Sequence, residues 1–106
     1  MTMRQLTELG FYGLAGGAAS SKPIVEECRD AEALGLGAVF ISERYDFKEA
    51  LTLCGAAAVA SSSMKIITGV TNHNTRHPLV TAGHATTMHS LSDGRFVLGI
   101  GRGMDA

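Results

Sequence analysis

The 106 residues carry a net charge of −1, with 45% hydrophobic and 18% charged side chains. This is a globular composition with no basic field to draw nucleic acid or anionic lipid. The length allows one domain, and no stretch approaches the roughly 18 unbroken apolar residues of a membrane span. The first ten residues include Arg4 and Glu8 where a secretory leader needs an apolar run, so the cytoplasm is the expected compartment.

Four short runs, residues 9–14, 38–42, 65–70 and 95–100, read as strands, and helical segments separate them. Runs such as Val39-Phe40-Ile41, Ile66-Ile67 and Phe96-Val97-Leu98 are apolar without alternation, as parallel strands covered on both faces are. After the first run comes a glycine-rich loop, residues 13–22. It lacks the Gly-Lys-Ser/Thr ending of a phosphate loop and reads as a connector. The first helix is expected over residues 23–34. Pro23 suits its first turn, Glu26 and Glu27 the positive end of its dipole, and Gly35 its C′ position. Ile24, Cys28, Ala31 and Leu34 would share its buried face.

The second run ends directly in Ser42-Glu43-Arg44-Tyr45-Asp46. In either fold built from β-α repeats, chemistry gathers at the carboxyl ends of the strands, so Glu43 and Arg44 are the catalytic candidates. Glu43 has the chemistry of a proton-transfer group or a hydrogen-bond acceptor. Arg44 stays protonated and cannot be a base. The alternative is a structural Glu43–Arg44 ion pair. The second helix is expected over residues 47–61, capped by Asp46, with Glu49 completing a capping box. Ala50, Leu53, Cys54, Ala57 and Ala58 give it a small-residue face. Cys28 and Cys54, the two cysteines, read as buried free thiols.

The loop after the third run, from Gly69 to Pro78, is the most polar stretch. Asn72 and Asn74 suit turns. His73 and His77 have a spacing that a metal could use on a helix, but they flank a loop with no Cys or carboxylate beside them, so no metal site is expected. The third helix is expected over residues 78–91, with His84 and His89 at its surface or in its packing, and Ser92-Asp93-Gly94 turns into the last run. That run leads into Gly99-Ile100-Gly101-Arg102-Gly103, whose glycines expose backbone N–H groups and admit a ligand. The spacing departs from the dinucleotide fingerprint and follows the wrong strand for it.

The order β-α-β-α-β-α-β fits both the (β/α)₈ barrel and the doubly wound sheet. Periodicity does not choose between them. The combination of Thr68-Gly69-Val70-Thr71-Asn72, Arg76-His77-Pro78 and the run from Leu91-Ser92-Asp93-Gly94-Arg95-Phe96 to Gly101-Arg102-Gly103 resembles the luciferase-like oxidoreductases. The likeness is greatest to the subgroup that uses the deazaflavin coenzyme F-420.

The resemblance implies an α/β fold, the N-terminal half of a (β/α)₈ TIM barrel with parallel strands in the order 1-2-3-4. A complete barrel of this kind needs roughly 250 residues, so truncation after the fourth strand is expected. It also implies F-420 as cofactor, or alternatively flavin mononucleotide (FMN), with a small organic molecule as substrate and partner. By the same resemblance Gly69, Val70, Asn72, Gly101 and Gly103 are cofactor-binding, with a non-proline cis peptide at Gly69–Val70, and Glu43 matches an acidic position after strand two. Relatives often carry His where this chain has Arg44, and some sugar-phosphate dehydrogenases an acid where it has Met104, so their catalytic residues do not transfer. Two readings from other classes stand beside this one, a non-enzymatic half-barrel assembly partner and a small nucleotide binder. Open edges and inward-facing Val39 or Ile41 and Ile67 would favour self-association of the isolated chain.

Overall fold

The computed structural model describes residues 5–14 and 20–102. In chain order the elements are β1 (Leu6–Tyr12), α1 (Ile24–Ala33), β2 (Leu36–Ile41), α2 (Ala50–Ala60), β3 (Lys65–Thr68), β4 (Thr71–Asn72), α3 (Pro78–Leu91), β5 (Phe96–Val97) and β6 (Ile100–Gly101). The main sheet runs β1-β2-β3-β5, and every pairing in it is parallel. Sequential order without reversal is barrel topology. A doubly wound sheet would place a later strand on the far side of the first. The chain therefore folds as part of a (β/α)₈ barrel.

The helices pack in sequence, α1 on α2 and α2 on α3. The core between helices and sheet holds Ile24, Cys28 and Ala31 of α1, Val39 and Ile41 of β2, Ile66 of β3, and Met88 of α3. From α2 it takes Ala50, Leu53, Cys54, Ala57 and Ala58, the small-residue face expected from sequence. Cys28 and Cys54 are free, and burial pushes their thiols up to about 11 and about 12. Val39 and Ile41 thus face the helices and not the barrel interior, against expectation. Side chains alternate across a strand, so Phe40 takes the inner face, with Tyr12 as its partner in register.

Three local departures have clear causes. The first strand starts earlier than residue 9. The Leu6 N–H donates to the Gly35 carbonyl at 2.8 Å, and the exposed strand tolerates Thr7 and Glu8, which hide it from an apolar reading. The first helix turns its final residue outward, so Leu34 is exposed. Gly35 follows at φ 85°, a conformation that suits glycine. The second helix starts at Ala50, with Glu49 itself as the cap, accepting from Leu51 N–H at 2.7 Å and Thr52 N–H at 3.0 Å. Asp46 does not cap it, because residues 44–48 close a loop in which Arg44 and Lys48 form an antiparallel bridge. His84 packs edge-on against Phe96, while His89 is exposed.

The third and fourth runs are each broken in two. Between β3 and β4 lies the cis Gly69–Val70 peptide, and between β5 and β6 lie Leu98 and Gly99. β4 and β6 then pair with each other, Thr71 with Ile100 and Asn72 with Gly101. At the break, the buried Thr68 hydroxyl stands in for a ladder partner. It donates to the Gly99 carbonyl at 2.8 Å and accepts from the Gly99 N–H at 2.7 Å. A Cβ at Gly99 would sit 2.1 Å from the Thr68 carbonyl oxygen, so this glycine is required by backbone approach and not by a ligand.

Candidate functional site

The carboxyl ends of these strands border a cleft of about 510 Å³, within the range of small-molecule sites. Its lining includes Ser42, Glu43, Arg44, Val70, Asn72 and Arg102. The strand breaks create it. By interrupting β3, the Gly69–Val70 bend leaves Val70 46% exposed in the wall.

Glu43 is held from three sides. Its carboxylate accepts from the Ala50 N–H at 2.6 Å, from the Thr71 hydroxyl at 2.7 Å and from Arg76 Nη1. Arg76 Nη2 donates to Glu49 at 2.7 Å, and Nη1 also reaches the Thr71 hydroxyl at 3.0 Å. The side chains of Glu43 and Arg76 are 5% and 14% exposed. Burial raises the pKa of Glu43, but Arg76, Thr71 and the Ala50 N–H outweigh it and hold the carboxyl below its ordinary value. Glu43 is therefore ionised at neutral pH with its acceptor capacity largely used. The ion pair it forms is with Arg76, not with Arg44.

Arg44 is exposed. Its Nε lies 4.0 Å from Asp46 and its guanidinium 5.3 Å from the Phe47 ring centroid, which leaves it at the cleft mouth. Asn72 turns its amide oxygen into the loop, accepting from the Asn74 and Thr75 N–H groups at 3.1 Å each, the turn role its residue type suggests. Its amide nitrogen reaches the Tyr45 hydroxyl at 3.4 Å. Gly69 and Gly101 stand behind the wall. A Cβ at Gly101 would meet Val70 Cγ2 at 2.7 Å, and one at Gly69 would meet the Phe40 ring at 3.4 Å. Gly103 and residues 15–19 of the glycine-rich loop lie outside the described residues.

Glu43, Arg44, Val70 and Asn72 thus meet at one cleft, although they come from two loops far apart in sequence. The roles of four neighbours at this end have no local signal in the sequence. Arg76 belongs to the Arg76-His77-Pro78 motif, and nothing local marks it as the partner of Glu43. Tyr12, Ser42 and Lys48 form a second cluster beside it. His77 caps α3, its Nδ1 accepting from the Leu79 N–H at 3.0 Å. Among the described residues no three His, Cys, Asp or Glu side chains gather as metal ligands, and no helix is long and apolar enough to cross a membrane.

The sequence model of the luciferase-like monooxygenase family matches residues 6–106. The chain belongs to the luciferase-like family. This is a family of enzymes, and two curated relatives are reductases. Over 73 residues it is 37% identical to the 5,10-methylenetetrahydromethanopterin reductase of Methanopyrus kandleri, covering 69% of this chain and 21% of that protein. Over 76 residues it is 34% identical to the same reductase of Methanolobus tindarius, covering 72% of this chain and 23% of that one. The chain therefore spans less than a quarter of the length of these luciferase-like relatives.

Among solved structures, the coenzyme F-420-dependent tetrahydromethanopterin reductase of M. kandleri superposes with a TM-score of 0.77 at 29% identity, over 91% of this chain and 26% of that one. The monooxygenase RslO1 of Streptomyces bottropensis gives 0.73 at 26%, over 78% of this chain and 27% of that one. The oxygenating constituent of 3,6-diketocamphane monooxygenase of Pseudomonas putida, solved with FMN, gives 0.77 at 21%, over 99% and 31%, and supports the fold alone.

The cleft's donor set fits a flavin or deazaflavin. Val70 offers an apolar surface to a flat ring, Asn72 and Asn74 carry amides for its polar edge, and Arg44 and Arg102 are cations suited to a phosphate-bearing tail.

Proposed function

We propose that residues 1–106 form the first half of a luciferase-like barrel in an oxidoreductase that transfers a hydride between coenzyme F-420 and a small organic substrate. The observation that carries this reading is the cleft at the carboxyl ends of the parallel strands, with Val70 exposed in a wall of polar residues and charges of both signs. The likeness to the coenzyme F-420-dependent reductase of M. kandleri favours F-420 over FMN as the cofactor. A bound deazaflavin supplies the hydride-carrying carbon, and the protein supplies position and electrostatics. Monooxygenation, with FMN as the cofactor, is the second reading; the likeness to the monooxygenase RslO1 favours its reaction class.

In the proposed site Val70, set by Gly69, backs the ring. Asn72 and the Gly101 backbone flank it, and Gly103, outside the described residues, is assigned to the cofactor by the resemblance alone. Arg44 receives an anionic group of cofactor or substrate. Glu43, saturated by Arg76, Thr71 and Ala50, fixes the wall between β2 and β4.

Titration of the protein with F-420 and with FMN, followed by ligand fluorescence, tests this. Saturable binding is expected, tighter for F-420. Gly101→Ala should weaken it by displacing Val70, and Arg44→Ala by removing a cation. If neither cofactor binds, the reading falls. Glu43→Gln separates two roles. A wall residue loses stability and cofactor affinity together, whereas a proton-transfer residue loses turnover alone.

A further inference from the structure

Tyr12 ends β1 at the carboxyl edge of the sheet, on the inner face and 43% exposed. Its phenol oxygen lies 2.6 Å from Ser42 Oγ, and Ser42 lines the cleft. Lys48, only 5% exposed, enters from the loop between β2 and α2. Its Nζ donates to the Gly13 carbonyl at 2.8 Å and lies 4.2 Å from the centroid of the Tyr12 ring. Of the carboxylates at this end, Glu43 and Glu49 are engaged by Arg76, Asp46 lies beside Arg44, and Glu27 accepts from the Leu14 N–H. A buried ammonium held by a carbonyl and by two aromatic rings, the second that of Phe47 at 5.7 Å, is an uncommon arrangement, because burial of a charge is costly without strong compensation. Its placement puts positive charge beside a phenol that also has a hydroxyl partner.

We propose that Tyr12 is a proton-transfer residue of this site, with Lys48 and Ser42 as its positioning residues, serving a small substrate with a polarised C=O or C=N bond. This rests on the hydride-transfer reading above. In the reductive direction the Tyr12 O–H bond breaks, and its proton forms an O–H or N–H bond on the substrate heteroatom. The carbon of the same bond accepts a hydride from the reduced deazaflavin or flavin, so the π bond breaks, the substrate is reduced and the cofactor oxidised. The electron pair left on Tyr12 is a phenolate. The Lys48 ammonium and the Ser42 hydroxyl stabilise it until solvent in the cleft returns a proton. The oxidative direction runs the same transfers backwards.

The electrostatics agree. Lys48 most strongly, then Ser42, hold the phenol below its ordinary value against the opposing effect of burial, and the charges of Lys48 and Arg44 add to this. Glu43 is a poor donor by comparison, since it is ionised and already accepts from Ala50, Thr71, Arg76 and the Tyr45 hydroxyl.

The test has two parts. First, the intact protein carrying isotope-labelled tyrosine Cζ is titrated by NMR, with Tyr12 assigned by the signal lost in Tyr12→Phe. Tyr12 should ionise at lower pH than free tyrosine, and Lys48→Met should move it upward. Second, Tyr12→Phe should lower kcat on the order of a hundredfold while changing the cofactor Kd less than about twofold, with Ser42→Ala between it and wild type. Should Lys48→Met fail to fold, the wild-type titration and the Tyr12→Phe kinetics still decide. A Tyr12 that titrates with free tyrosine or above it overturns the proposal whichever cofactor binds, and so does wild-type turnover in Tyr12→Phe. Failure of both cofactors to bind would instead sink the hydride-transfer reading, which the Tyr12 titration does not depend on.

Discussion

The two ends of the sheet use the same residue types in opposite ways. At the amino end, charged side chains are spent on backbone. Arg95 donates to the carbonyls of Ala58, Ser61, Met64 and Ser92 and to the Ser61 hydroxyl. Glu32 of α1 accepts from the N–H groups of Ser62, Ser63 and Met64 and from both serine hydroxyls. These contacts tie the end of α2 to β3 and β5. At the carboxyl end Glu43, Glu49 and Lys48 also hold backbone groups, but the charges are paired with one another as well, Arg76 with Glu43 and Glu49, and the backbone is bent to open a cleft. One end closes the layers of the barrel. The other shapes a site, and its residues are placed by partners that are themselves side chains.

Removing one partner should therefore be most costly where the charges are buried together. Arg76→Met leaves Glu43 as a buried, unpaired carboxylate, and chemical denaturation should show a loss of about 3–5 kcal/mol. Cofactor affinity should fall with it, because Thr71 and the β4 wall lose the same guanidinium. A loss below about 1 kcal/mol would mean that the pair is more solvated than its burial suggests.

Arg95→Ala probes the amino end. It strands several carbonyls at a partly buried position, and a loss of about 2–3 kcal/mol is expected. Cofactor affinity of the folded protein should stay at the wild-type value, since Arg95 touches nothing at the cleft. Impaired binding there would erase the division between the two ends.

The smallest effect should come from Glu32 and should depend on pH. Burial raises its pKa, but the backbone and hydroxyl donors of Ser63 and Ser62 prevail and lower it from 4.5 to about 2. A folded pKa below the unfolded one means that the stabilisation is present above about pH 4.5 and is lost as pH falls towards 2. Glu32→Gln should cost about 1–2 kcal/mol at neutral pH, after allowance for solvent screening. It should also flatten this part of the acid limb in thermal melts taken across the pH range. An unchanged acid limb would show that the Ser62–Ser63 turn holds itself without the carboxylate.

The same contrast sorts what can be read from residue order. Helix positions, the small-residue face of α2, the αL glycine after α1 and the turn through Asp93 and Gly94 follow from local rules, since each depends on neighbours a few positions away. The residues that carry the family likeness are legible for a similar reason. In Leu91-Ser92-Asp93-Gly94-Arg95-Phe96, the Ser92 hydroxyl accepts from the Arg95 and Phe96 N–H groups at 3.1 and 3.0 Å. That motif builds the amino end and stands away from the cleft. A sequence can therefore declare its family in part through residues that stand away from the cleft.

By itself, then, the sequence determined the β-α repeat, the buried faces of α1 and α2 and, through its likeness to the luciferase-like family, the barrel and the Gly69–Val70 bond. It also pointed to the strand ends where Glu43, Arg44, Val70 and Asn72 meet. Only the tertiary structure decided that Glu43 answers to Arg76, 33 positions away, and that Val39 and Ile41 face helices while Phe40 faces inward. It likewise brought Tyr12 from β1, Ser42 after β2 and Lys48 from the following loop to one point. Pairing between side chains depends on strand register and loop path, which are set by the packing of the whole sheet, and no local spacing rule reports them.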